Sequence, residues 1–261
     1  MPEFTSYEPG TPSWVDLASS DLASSKAFYS ALFGWEAQDV PDPSAGGYGF
    51  FLLRGKLIAG YGPTMALGQP SAWGTYIQVD DANKTAEAVQ GAGGTVVAGP
   101  MDIPGDAGRM AVFTDREGAF FSVWQPNQHK GAQLANEPGA FCWNELNSRD
   151  LDAAKAFYPS VFGWTVEGGS EGGWEYYEWK RGGTATIGGL MPIPPGVPAE
   201  VPPHWLTYFA VTDTDAAVAE ASRLGAVAVA GPMDSPAGRL AVLRGPQGEA
   251  FAVISLPTTA G

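Results

Sequence analysis

Trp14-Val15-Asp16-Leu17, Lys26-Ala27-Phe28-Tyr29 and Leu32-Phe33-Gly34-Trp35 follow one another near the start of the chain. The same series returns 129 residues later as Trp143-Asn144-Glu145-Leu146, Lys155-Ala156-Phe157-Tyr158 and Val161-Phe162-Gly163-Trp164. Farther on, Ala98-Gly99-Pro100-Met101-Asp102 returns as Ala230-Gly231-Pro232-Met233-Asp234, and Ala107-Gly108-Arg109 as Ala237-Gly238-Arg239. So long a period marks a duplicated domain rather than a solenoid of short units. The 261 residues divide into a first domain at 10–126, a polar linker at 127–137 and a second domain at 138–256. Each copy has an ordinary domain size.

Residues 14–18 read as a strand. Asp21 caps and Gly34 stops a helix that carries Phe28 and Leu32 on one side. Runs at 48–53 and 56–61 lean to strand and meet at the turn Arg54-Gly55. The pattern then restarts. A strand at 73–79 precedes a helix at 82–90, capped by Asp80 or Asp81 and ended by Gly91, and strands follow at 95–98, 109–114 and 119–124. Each copy reads βαβββ twice, so the fold class is α+β with four such units. Phe28 and Phe157 read as core, while Tyr29 and Tyr158 fit either core or rim.

A net charge of −14 argues against nucleic acid, whose phosphates need Lys and Arg, and against anionic membrane surfaces. No apolar run approaches the roughly 18 residues of a membrane span. The single cysteine, Cys142, permits no internal disulfide and reads as a small buried apolar residue. Together with an N-terminus that shows no secretory signal, this points to the cytoplasm.

Paired βαβββ units whose first helix carries Phe-Tyr and ends in Phe-Gly-Trp resemble the vicinal oxygen chelate superfamily. This is the group of glyoxalase I, bleomycin-resistance proteins and extradiol dioxygenases. The resemblance also rests on Asp21, on Val79-Asp80-Asp81 and on the turn Phe113-Thr114-Asp115-Arg116-Glu117-Gly118, which becomes Gly245-Pro246-Gln247-Gly248 in the second copy. The tandem form is similar to two-domain glyoxalase-like proteins of actinobacteria. It implies curved mixed sheets around a cavity with helices outside, but no particular reaction.

Most enzymes of the superfamily hold a divalent metal with His, Gln and Glu inside the cup. Carried over position by position, those places fall on Trp14 and Trp143, on Gly74 and Leu206, on Ser122 and Ala252, and within 57–62 and 183–191, which contain no His, Asp or Glu. Such ions want N and O ligands converging from several strands. The expectation is therefore no metal and no other cofactor.

Strand alternation points Trp14, Asp16, Tyr76, Gln78, Phe120, Ser122 and Trp124 inward in the first copy, and Trp143, Glu145, Asn147, His204 and Tyr208 in the second. It leaves apolar Val15, Leu17, Ile77, Val79, Phe209 and Val211 for the face that packs on helices. Aromatic walls with few polar groups suit a flat, largely apolar ligand, or else they fill the cups as core. Glu145, Asp16 and His204 are the candidate catalytic residues. Trp14, Trp143, Tyr76, Tyr208, Arg109, Arg239, Asn147, Ser122 and Trp124 are the candidate substrate-binding residues. An alternative pairs Asp16 with Arg109 and Glu145 with Arg239 as internal ion pairs, since a buried carboxylate needs a partner or a raised pKa. His129, in the linker, reads as structural or exposed.

The leading reading is a metal-independent member of this superfamily that binds, and in an enzymatic version transforms, a small hydrophobic or aromatic metabolite of antibiotic- or polyketide-like type. As an enzyme it would be a lyase, isomerase or oxygenase. The alternatives are a metal-dependent glyoxalase-like lyase or dioxygenase, and a non-catalytic interaction protein with filled cups. The expected partner is a small molecule rather than nucleic acid or membrane, with the chain a monomer (an internal pseudo-dimer) or a homodimer.

Overall fold

The computed structural model describes residues 3–66, 68–171 and 174–256. The first copy runs β1 (Pro12–Ser19), α1 (Leu22–Phe33), β2 (Glu36–Asp39), β3 (Gly49–Leu53), β4 (Lys56–Pro63), β5 (Ala72–Gln78), α2 (Ala82–Gly91), β6 (Thr95–Ile103), β7 (Gly108–Thr114) and β8 (Phe120–Pro126). The second runs β9 (Phe141–Ser148), α3 (Leu151–Phe162), β10 (Thr165–Glu171), β11 (Trp174–Arg181), β12 (Ala185–Pro192), β13 (His204–Ala210), α4 (Thr214–Arg223), β14 (Val227–Ser235), β15 (Gly238–Arg244) and β16 (Ala250–Ser255). Both copies form an eight-stranded mixed sheet of the same order, β2-β3-β4-β1-β5-β8-β7-β6 and β10-β11-β12-β9-β13-β16-β15-β14. The two units of a copy thus share one sheet.

The helix ends follow the local chemistry. Asp21 accepts from the Ser24 N–H at 3.1 Å, and Gly34 ends α1 in the left-handed region at φ 72°. Asp81, not Asp80, caps α2. Strand β2 has four exposed residues, Glu36-Ala37-Gln38-Asp39, and so no alternation to announce it. No helix among the described residues is long and apolar enough to cross a membrane.

The helix-covered faces of the two sheets pack against each other, with α1 meeting α4 and α2 meeting α3. Val15, Leu17, Ile77 and Phe209 are fully buried there. The repeated aromatic residues tie the copies together. Trp35 Nε1 donates to the Gly139 carbonyl at 2.7 Å, and Trp164 Nε1 to the Gly10 carbonyl at 2.9 Å. Tyr29 and Tyr158 are core, not rim. The Tyr29 hydroxyl donates to Glu249 at 2.8 Å and accepts from Trp73 Nε1, while the Tyr158 hydroxyl donates to Asp115 at 3.0 Å and accepts from Trp205 Nε1.

Those two carboxylates reach equivalent places from different positions. Asp115 sits in the turn before β8 and accepts from the Glu117 and Ala119 N–H groups. In the second copy Gly245 takes the place of Asp115, and Glu249, where the first copy has Ala119, turns its carboxylate into the vacated space. A Cβ on Gly245 would collide with it. Burial raises the pKa of both acids.

Candidate functional site

Away from that interface, each sheet carries the same four side chains on its inner face. In the first copy, β1 and β5 pair Trp14 with Tyr76 and Asp16 with Gly74. Asp16 Oδ2 accepts from the Tyr76 hydroxyl at 2.9 Å and the Tyr48 hydroxyl at 3.4 Å, and Trp14 Nε1 donates to Tyr48 at 3.1 Å. In the second copy, Glu145 Oε1 accepts from the Tyr208 hydroxyl at 2.9 Å, the Tyr176 phenol lies beside the same carboxyl, and Trp143 Nε1 donates to Tyr176 at 2.9 Å. Each tetrad is Trp, Tyr, carboxyl, Tyr. Tyr48 and Tyr176 were not singled out from the sequence: Tyr48 lies just before β3 and Tyr176 within β11, and the 129-residue offset matches Tyr48 to Tyr177 instead.

A glycine makes room for each of those tyrosines. The Tyr48 hydroxyl lies over Gly60 and the Tyr176 hydroxyl over Gly189, where a Cβ would clash with it. Gly60→Ala is expected to push the Tyr48 ring off Asp16 and to cost about 1–3 kcal/mol. Denaturant unfolding measures the cost, and an unchanged stability would show that Tyr48 does not need this space.

The carboxyls are out of their usual range. Burial lifts Asp16 from 3.8 to about 6, against the two tyrosine hydrogen bonds that pull it down. Burial also raises Glu145. Asn147 Nδ2 lies 3.4 Å from Glu145 Oε1, and Ser122 stands opposite Tyr76 on β8.

The two cups differ at both ends. Around Asp16 the inner-face neighbours are Gly60, Gly62, Gly74, Ala18 and Ala72; the same pairing positions around Glu145 hold Gly189, Met191, Leu206, Asn147 and His204. Asp16 is partly exposed, whereas Glu145 is 3 % exposed. The tryptophan end is reversed. The linker lays the His129 ring 4.4 Å from Trp14, 5.5 Å from Trp124 and 5.8 Å from Phe50, and Trp124 Nε1 donates to the His129 carbonyl. Trp14 is buried beneath it, while Trp143 is only half-buried. His129 is thus a plug; burial lowers its pKa to about 4, and its Nε2 has no partner among the described residues. His129→Ala is expected to cost about 1–3 kcal/mol and to shift the tryptophan emission as water reaches Trp14. Unchanged emission would show that the imidazole does not cover that ring.

Several expectations need correction. Arg109 pairs with Asp102 at 2.7 Å and Arg239 with Asp215 and Asp234, so neither closes an ion pair with Asp16 or Glu145. Arg109 lies opposite Gln125, one residue out of phase with inward Trp124 and Met110. Phe120 sits at a strand start and is 61 % exposed. His204 Nδ1 lies 2.8 Å from the Pro202 carbonyl and is not bonded to Glu145. Cys142 is partly buried, with its thiol pushed up to about 12 by burial, as suits a structural residue.

The places read as metal positions are occupied by Trp14, Gly74 and Ser122, and by Trp143, Leu206 and Ala252. Among the described residues no three of His, Cys, Asp or Glu converge. This donor set does not fit a divalent metal of the superfamily type.

The model of the Glyoxalase/Bleomycin resistance protein/Dioxygenase superfamily matches residues 11–123 and again 137–253. The chain belongs to this superfamily. It is 43 % identical over 260 residues to the glyoxylase-like protein CFP32 of Mycobacterium tuberculosis, covering 97 % of this chain and 98 % of the relative. It is 40 % identical over 275 residues to the anthracycline biosynthesis protein DnrV of Streptomyces peucetius, covering 98 % of each. Among solved structures, the Mn(II)-bound glyoxalase of Novosphingobium aromaticivorans superposes with a TM-score of 0.65 at 17 % identity, over 95 % of this chain and 82 % of that one. The 2,3-dioxygenase LapB of Pseudomonas sp. KL28 gives 0.65 at 14 %, over 98 % and 96 %. At such identity the superfamily structures share the fold alone.

Proposed function

We propose that the chain binds a small hydrophobic or aromatic metabolite in its cups without a metal of the superfamily type, and that any transformation runs through proton transfer at a tetrad carboxyl. The observation that carries this reading is Asp16, a carboxyl lifted to about 6 inside an aromatic cup and fixed by two phenols. A carboxyl in that range changes between acceptor and donor close to neutral pH, which suits general acid–base work. The likeness to DnrV supports a polyketide-like aromatic as the ligand class. The proposal includes a cytoplasmic setting, with neither nucleic acid nor membrane as partner and the chain a monomer or homodimer.

The test is a titration of chelator-treated protein with 1,2-dihydroxyanthraquinone and smaller aromatic phenols, followed by tryptophan fluorescence. Saturable binding that added Mn(II), Ni(II) or Zn(II) leaves unchanged is expected. Absence of saturation across the panel, or saturation only after metal is added, would overturn the reading.

A further inference from the structure

We infer that the two cups are not equivalent, and that the first domain holds the ligand, with Asp16 Oδ1 as its polar anchor. This rests on the proposed binding of a flat aromatic molecule. Both tyrosine hydroxyls bond Oδ2. Oδ1 points at Gly74 and has no hydrogen-bond donor among the described residues; a Cβ on Gly74 would stand 3.0 Å from it. The carboxyl is therefore held on one oxygen and open on the other. Glu145 accepts from Tyr208 and Asn147 on Oε1, but it is itself buried, opposite buried Leu206 and two residues from buried Asn147.

The surroundings define what can reach that oxygen. The Tyr48 phenol lies over Gly60 and against Gly62, and Oδ1 itself faces Gly74, so the floor beside Asp16 is a tyrosine ring laid on backbone without side chains. A planar ligand can stack on so flat an aromatic floor. Its other route is shut, because His129 fills the space against Trp14. The ligand thus enters over Ala18 and Ala72 and stops with its polar edge at Oδ1. An ionised Asp16 accepts from a phenolic or enolic O–H, and a protonated one donates to a ring carbonyl. The class selected is a flat hydroxylated aromatic carbonyl compound, one per chain.

The second domain supplies the controls. Ala72→His and Ala18→Asn copy its residues into the first cup, and Ala72 is exposed, so Ala72→His alone tests the idea if the other variant melts early. Calorimetric titration uses 1,2-dihydroxyanthraquinone and unsubstituted anthraquinone. One site per chain is expected, with the hydroxylated compound at least about tenfold tighter. Asp16→Asn and Ala72→His should each weaken it by about tenfold or more without any loss of melting temperature. A larger loss in Glu145→Gln than in Asp16→Asn, or wild-type affinity in Ala72→His, would place the ligand elsewhere and sink the inference while leaving the binding reading intact. Failure of the wild type to bind either compound would remove that reading and the inference with it.

Discussion

Tyr158→Ala is expected to destabilise the chain by about 3–5 kcal/mol, as for other large aromatic deletions in a core. Its ring is fully buried between the two copies and packs on Trp164, Trp179 and Trp205. Its hydroxyl joins Asp115 to Trp205 across the domain boundary. Tyr158→Phe keeps the ring and separates the two contributions. It leaves the Trp205 N–H without its acceptor and Asp115 with only its backbone donors, a cost of about 1–3 kcal/mol. Tyr29 holds the matching place with Glu249 and Trp73, so Tyr29→Phe should behave alike. Urea unfolding of the three variants checks this. A Tyr158→Phe cost no larger than that of a surface change, within about 0.5 kcal/mol, would show that the hydroxyl is not shared across the boundary.

Asp16→Asn is expected to make the protein more stable at pH 7 while weakening the ligand. The folded state lifts the carboxyl from 3.8 to about 6, so it binds the proton more tightly than the unfolded chain does. The contribution of Asp16 to stability is therefore fully present below pH 3.8 and is lost as pH rises through about 6. At roughly 1.4 kcal/mol per unit the loss reaches at most roughly 3 kcal/mol, a ceiling because solvent reaches Asp16 and screens it. Asparagine has no charge to desolvate. The stability difference between variant and wild type should grow between pH 4 and pH 6 and then level off. Glu145, Asp115 and Glu249 are also raised, but they are common to both proteins and cancel in the difference. Parallel stability curves across that range would contradict the assignment.

The repeat and strand alternation made most of the fold legible. Val15, Leu17, Ile77 and Phe209 were placed on the helix face by parity alone, and the capping Asp and stopping Gly marked α1 and α3. Strand β2 escaped because a strand with four exposed residues has no periodicity. The arginine pairs failed for a different reason. Arg109 follows a glycine and its parity could not be anchored, whereas the register with Gln125 turns it away from the cup. The tetrad was half legible. Trp14, Asp16 and Tyr76 share a face by counting, but Tyr48 sits just before β3, whose place beside β4 only the pairing order reveals. His129 was invisible as a plug, since nothing local says that a polar linker will cross an aromatic cup.

The carboxylate beneath Tyr158 comes from Asp115, and the one beneath Tyr29 comes from Glu249, four positions further along its own turn. Gly245→Asp alone would crowd two acids into one buried space, and Asp115→Gly alone would leave none for Tyr158. Only the joint exchange of Asp115→Gly with Ala119→Glu keeps one acid per tyrosine. The two halves have thus become mutually illegible at this corner: a chimera whose crossover falls between residues 115 and 119 inherits either both solutions or neither.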